Sequence, residues 1–285
     1  MTPSGMLLVF LAVADLPQEA HEPPASKDWF PDKTLEAVIR EGIFAKAGTK
    51  APLSAEDLRS VSQIVAKGKG IRDLHGLERC SALATLDLSG NQISDLAPLA
   101  ELKSLQGLFL AKNQISDLKP LAGLGGLQYL DLDDNQIVDL KPLAGLAKLN
   151  TLCLSNNKIS DPDALSGLVR LWSLALNGNG ITALAPFKEL KQLCILSLKG
   201  NRVADLSPIA SLTNLRFLFL ENNRIEDLGV LVDMSRKDAQ GEKRFAPYLK
   251  VYLSGNPLSD SARSSQALDL RNCGVLVTLG DKSRS

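Results

Sequence analysis

Asparagine returns at a constant interval of 22 residues through Asn91, Asn113, Asn135, Asn157, Asn179, Asn201 and Asn223. Six equal intervals in succession do not arise by chance. A period of this length restricts the chain to a stack of one-turn units, each touching only its neighbours. The asparagine sits in one phrase, Leu83-x-x-Leu86-x-Leu88-x-x-Asn91-x-Ile93-x-Asp95-Leu96-x-Pro98-Leu99, which recurs as Leu105, Leu108, Leu110, Asn113, Ile115, Asp117, Leu118, Pro120 and Leu121. Leu86 and Leu88 alternate with outward residues at the strand period of two, so both face the interior and successive strands stack into a parallel sheet. The asparagine closes the turn after the strand, where its side chain satisfies backbone groups that the bend leaves unpaired. Ile93, Leu96 and Leu99 line the return segment. Asp95 caps its short 3₁₀ or helical turn, and Pro98 lies in the first turn.

This phrase is the leucine-rich repeat pattern. It predicts an α/β solenoid with a concave parallel β-sheet, short 3₁₀ or helical returns on the convex side, and an N-terminal helical cap. About a fifth of the residues are leucine and 5% are aromatic, as a fixed set of inward positions in each coil requires. Lys69 stands where an earlier asparagine would fall, but Val61, Ile64, Ala66, Ile71, Asp73, Leu74 and Leu77 keep the frame, so a degenerate coil comes first. After Asn223 the next match is Asn256, 33 residues on. The insert, residues 233–248, carries Arg236, Lys237, Lys243 and Arg244 and is expected to protrude as a charged loop.

Apolar coil ends need covering. Leu35, Val38 and Ile39 have helical spacing, Gly42 ends that segment, and Ser54-x-x-Asp57 opens a second helix. This gives a cap over residues 30–60 ahead of repeats over 61–258. Residues 259–285 read as a C-terminal cap and tail, helical from Ser259 to Arg271 with Leu268 and Leu270, stopped by Gly274, and ending in a strand at Val275–Thr278.

Met6 to Ala14 is an apolar run closing on Ala12-Val13-Ala14, the small-x-small pattern that signal peptidase accepts. Residues 1–14 are read as a signal peptide and 15–29, with Pro17, Pro23 and Pro24, as a linker. A secreted or cell-envelope location follows, with a cytoplasmic one as the alternative because Met1–Gly5 lacks Lys and Arg. No apolar run approaches the ~18 residues of a membrane span. Lys+Arg and Asp+Glu both total 32, which leaves no basic excess for nucleic acid. The two histidines, His21 and His75, and the absence of any serine framed with a histidine argue against a catalytic site or a metal centre. No cofactor is expected. The aligned acids Asp73, Asp95, Asp117, Asp139, Asp161, Asp205 and Asp227 read as turn caps rather than a metal ladder. Cys80, Cys153, Cys194 and Cys273 show no paired spacing and are read as free thiols, and the chain is read as a monomer.

With Phe30-Pro-Asp32 and Leu35 opening a helical cap, Gly70-Ile-Arg-Asp-Leu74 leading into the first coil, and Asn-x-Ile-x-Asp-Leu-x-Pro-Leu at period 22, the chain resembles the internalin-type repeat proteins of bacteria over roughly residues 30 to 277. The resemblance implies an extracellular binder that holds a protein on its concave face. No Ig-like domain or Leu-Pro-x-Thr-Gly motif follows the repeats in this sequence, so a role in host-cell invasion is not implied. Phosphatase-regulating eukaryotic repeat proteins also use 22-residue coils, and an intracellular regulatory subunit of an enzyme is the alternative reading. The Asp-Leu-x-Pro-Leu return resembles the bacterial type more closely.

Outward strand positions form columns on the concave sheet, the surface such folds use for partners. Phe109, Tyr129, Phe217, Phe219 and Tyr252 fall on them, with Trp172 just beside. Together with Asp131 and Asp133 they are the candidate contacts for a protein or peptide partner. Cross-strand contacts that stabilise the sheet are the competing account of the rings. Acids gather in the front half (Asp87, Asp131, Asp133, Asp134) and bases towards the back (Lys199, Arg202, Arg216, Arg224, Lys250), with Glu221 as an exception. A chain of zero net charge therefore has a polarised face.

Overall fold

The computed structural model describes residues 29–241 and 243–280; the expected signal peptide, nearly all of the linker, and the last five residues of the tail lie outside them. Ten parallel strands form one sheet in strict sequence order. They are β1 (Gln63–Val65), β2 (Thr85–Asp87), β3 (Gly107–Phe109), β4 (Tyr129–Asp131), β5 (Thr151–Cys153), β6 (Ser173–Ala175), β7 (Ile195–Ser197), β8 (Phe217–Phe219), β9 (Lys250–Tyr252) and β10 (Leu276–Thr278). The register pairs like with like: Leu86 with Leu108, Leu108 with Leu130, Leu130 with Leu152. The inward leucines therefore stack as one buried column.

The asparagines do more than close their own turn. Asn113 donates through Nδ2 to the carbonyl of Leu110 in its own coil (3.0 Å) and of Leu88 in the coil before (3.1 Å), and its Oδ1 accepts the N–H of Ile93 (3.1 Å). Asn135 repeats this with Leu132, Leu110 and Ile115. From Leu88 to Leu220 each leucine carbonyl thus receives two asparagine donors, one from each of two coils, and the ladder ends at Asn256, which bonds Leu253, Leu220 and Ile225. The position one residue before the asparagine is left-handed throughout, with glycine at Gly90, Gly178, Gly200 and Gly255 and with Lys112, Asp134, Asn156 and Asn222 at φ of 55–57°.

On the return side each coil makes a short 3₁₀ turn, as at Ala97–Leu99 and Lys119–Leu121. The aligned acids hold these turns from two residues upstream: Asp95 Oδ1 accepts the N–H of Ala97 (2.8 Å), Asp117 that of Lys119 (2.9 Å) and Asp205 that of Ser207 (2.8 Å). One coil has exposed Ala183 in this place, ahead of the turn Ala185–Phe187, which has no side-chain cap. Ala183→Asp is expected to raise stability by about 0.5–1 kcal/mol in urea unfolding; an unchanged midpoint would refute the capping role.

At the front, α1 (Lys33–Gly42) begins at Asp32, whose Oδ1 accepts the N–H groups of Thr34 and Leu35. Its other oxygen takes the N–H of Arg72 at 2.9 Å, which ties the cap to the first coil. Phe30, Leu35 and Ile39 are buried against the coil end. The short α2 (Ala55–Arg59) starts with a reciprocal Ser54–Asp57 capping box.

The insert departs from expectation. It is not a protruding charged loop: α3 (Gly229–Gln240) replaces the 3₁₀ turn of that coil, and Leu231, Val232, Met234 and Ser235 are buried. The helix starts at Gly229 and its buried stripe at Leu231, ahead of the cations that drew attention, and it buries one face while Arg236 reaches outward to Asp269 (2.8 Å). Asp238 then accepts the N–H groups of Arg244, Phe245 and Ala246, folding the chain back so that Phe245 is buried. At the back, α4 (Ala267–Asn272) leads to β10; Ala267 and Leu270 are buried, whereas Leu268 points outward.

Candidate functional site

The strand period fixes which side chains reach the open face of the sheet. From β3 to β9 each strand has a buried middle residue flanked by two half-buried ones. The register puts the flanking residues of neighbouring coils side by side, about 4.8 Å apart. Two aromatic ridges result. Phe109 and Tyr129 stack with ring centres 4.7 Å apart. Phe217, Phe219 and Tyr252 form a second stack with spacings of 6.3 and 4.8 Å. Because they stack, these rings are half-buried rather than fully open. Between the ridges β5, β6 and β7 present mostly small side chains, among them Thr151, Cys153, Ser173, Ala175 and Ser197, a low floor beside two walls.

Trp172 does not join either ridge. It immediately precedes β6, is 46% exposed, and makes no ring stack with either ridge among the described residues. Two contacts were not suggested by the columns: Lys250 Nζ lies over the Phe217 ring of the second ridge (5.3 Å), and the Arg216 guanidinium, at the repeat position of Trp172, lies over Tyr248 (5.3 Å). Tyr248 comes from the segment after α3, so a strand pattern gives no signal for it.

Asp131 and Asp133 are half-buried beside the first ridge, with Phe109 the register partner of Asp131. Asp131 Oδ1 accepts the N–H of Asp133 (3.1 Å), and Asp133 Oδ1 accepts that of Ser155. Neither has an ion-pair partner among the described residues, whereas Asp87 in the same face is met by Lys67 at 3.0 Å. Burial, with the neighbouring acids adding to it, pushes both carboxyls above the ordinary carboxylate range. Burial likewise pushes Tyr129 and the Cys153 thiol, which share a hydrogen bond, up to about 12. At neutral pH Cys153 is a protonated thiol and a poor nucleophile. One possible ligand atom from each of Asp131, Asp133 and Cys153 lies within 4.8 Å of the others. Carboxylate and thiolate both fall within the range of zinc ligands, but Cys153 would have to give up the proton that burial holds on its thiol. All four cysteines are free, and Cys80 is buried with its thiol also pushed up to about 12 by burial.

A carboxyl whose folded pKa is raised stabilises the fold relative to the unfolded chain below its ordinary value and loses that contribution as pH rises through the folded value. At neutral pH Asp131 and Asp133 therefore weigh against the fold. Asparagine at both sites keeps the Oδ1 acceptors and removes the charges. The double variant is expected to melt about 1–3 °C above the wild type at pH 7, with the gap closing towards pH 4. A lower melting temperature at pH 7 would contradict this. Asp205 and Asp57 run the opposite way: backbone hydrogen bonds hold their carboxyls below the ordinary range, so their contribution is lost on acidification.

A ten-strand parallel sheet in sequence order, with 3₁₀ returns and a buried asparagine ladder, defines a leucine-rich repeat solenoid. Family profiles for leucine-rich repeats match residues 79–96, 103–145, 148–168 and 191–232. The chain carries leucine-rich repeats, and they are similar to those of the internalins. It is similar to internalin C2 of Listeria monocytogenes, with 28% identity and a TM-score of 0.68 over 88% of this chain and 95% of that one. The functional domain of InlJ from the same organism, which includes a cysteine ladder, shares the fold at 19% identity and a TM-score of 0.56, covering 90% of this chain and 61% of that one. So does the ectodomain of the plant membrane receptor kinase GASSHO1/SCHENGEN3 from Arabidopsis thaliana, in complex with CASPARIAN STRIP INTEGRITY FACTOR 2, at 23% identity and a TM-score of 0.57 over 75% and 26% of the two chains. No curated protein matches the chain by sequence. The fold is that of a protein-interaction scaffold. No helix among the described residues is long and apolar enough to cross a membrane.

Proposed function

We propose that the protein is a non-enzymatic binding module that holds a protein or peptide partner on the open face of its sheet. The supporting observation is the pair of aromatic ridges on either side of a small-residue floor. Nothing in the solenoid requires large rings at outward positions, since β5 and β6 hold the same sheet with Thr151, Cys153, Ser173 and Ala175. Rings that stack yet keep part of their surface open are suited to anchor a partner. The partner is identified by affinity capture, and the face is then tested with Phe109→Ala combined with Phe219→Ala. Undiminished binding by that variant would refute the assignment.

We place the protein outside the cytoplasm, on the apolar run Met6–Ala14 and its likeness to internalin C2. N-terminal sequencing of the mature protein is expected to begin near Asp15. Intact Met1 in the functional pool would argue for the cytoplasm.

A further inference from the structure

The binding reading leaves the partner's chemistry open, and the charges of the same face supply it. Near the first ridge Asp131 and Asp133 occupy outward positions of one chain segment, each with one oxygen tied to a backbone N–H, and Asp133 also takes the Ser155 hydroxyl; neither has an ion-pair partner among the described residues. Lys67 is engaged with Asp87, and Lys112, in the coil before Asp134, makes no ion pair among the described residues. The rings of Phe109 and Tyr129 lie alongside, and a cation approaching the carboxylates would also meet a ring. At the second ridge the sign reverses. Lys250 is held over Phe217 and has no carboxylate within ion-pair distance among the described residues. Glu221 is the one acid at the outward positions of β7 to β9 and the residues just after them.

We infer that the face receives a partner segment carrying a lysine or arginine side chain for Asp131 and Asp133 and, about 24 Å away, a carboxylate for Lys250. The distance is five coil intervals from β4 to β9, which an extended segment spans in about seven residues. The small side chains of β5 to β7 leave the path between them open. The inference rests on the sheet face being the binding surface. It adds that the partner is read by charge at both ends, which fixes the direction in which the segment crosses the coils.

The test uses three ten-residue peptides of alternating alanine and serine, with Arg and Glu, Arg and Arg, or Glu and Glu at positions 2 and 9. Binding is followed by backbone amide shifts at low salt, with the wild-type protein and with Asp131→Asn/Asp133→Asn, which preserves the backbone acceptors. The Arg/Glu peptide is expected to bind saturably, at least about fivefold tighter than the other two, and to weaken at least about fivefold in the variant. Shifts should concentrate in β4, β5 and β9. Equal affinity for all three peptides, no binding by any, or an Arg/Glu affinity unchanged in the variant overturns the inference. A tighter Arg/Arg peptide also overturns it and puts Glu221 in the role given to Lys250. If capture of the partner stays sensitive to Phe109→Ala with Phe219→Ala while the peptides bind alike, the face remains a binding surface and only the charge assignment fails.

Discussion

Asn135→Ala is expected to destabilise the protein by about 3–5 kcal/mol and to divide its unfolding into two transitions. Asn135 is 8% exposed. Removing its amide strands the N–H of Ile115, which accounts for about 1–3 kcal/mol by itself. It also takes one of two donors from each of the Leu110 and Leu132 carbonyls, at about 1 kcal/mol apiece. The neighbours Asn113 and Asn157 still hold those carbonyls from the other side, so the coil does not collapse. It becomes a weak joint in an array whose stability is summed over nearest-neighbour contacts. Urea unfolding followed by fluorescence and by circular dichroism should show the segment before β5 and the segment after it melting at different midpoints. A single transition displaced by less than about 1 kcal/mol would mean that water replaces the side chain and that the ladder contributes little.

The second large effect is on binding. Phe109→Ala combined with Phe219→Ala should weaken the captured partner at least about 100-fold, since one change removes half of a two-ring ridge and the other the middle ring of a three-ring ridge, and anchors of this kind contribute about 2 kcal/mol or more. Phe219 lies between Phe217 and Tyr252, so its loss also frees two neighbours to reorient. Stability should fall far less, by about 1 kcal/mol per site, because half-buried cross-strand pairs contribute little to folding. Calorimetric titration with the purified partner, beside a melting curve of the variant, separates the two effects. A parallel loss of both would mean that the rings serve the sheet rather than the partner.

The coil was legible in the sequence because inward leucine, asparagine and return-side aspartate recur at a fixed spacing. One coil's worth of physics therefore predicts the register from Leu86 to Leu218. The role of Asn91 and its equivalents was only half legible: a turn can be seen in one repeat, but bonds to the preceding coil appear only when two are stacked. The insert was misread because Arg236, Lys237, Lys243 and Arg244 dominate its composition, while the stripe of Leu231, Val232 and Met234 that makes it helical is short and begins inside the regular coil. At the candidate site the columns gave the positions of Phe109, Tyr129, Phe217, Phe219 and Tyr252. They gave neither the burial of the carboxyls of Asp131 and Asp133 nor the contacts of Tyr248, because both depend on neighbours distant in the chain. Trp172 was placed beside the sheet by its sequence number, and among the described residues its ring stacks with neither ridge.

The ladder that passes from Asn223 to Asn256 across a 33-residue interval divides each coil into two unequal jurisdictions. The corner beside the sheet keeps count, since a residue added there would break three bonds and throw every later strand out of line. The far side keeps no count, and α3 shows that it can lengthen from a 3₁₀ turn to a three-turn helix while β8 and β9 remain paired residue for residue. New loops, tags or domains can therefore be grafted onto the returns without altering the spacing of the ridges, and the protein is a ruler whose back can be rebuilt while its graduations stay fixed.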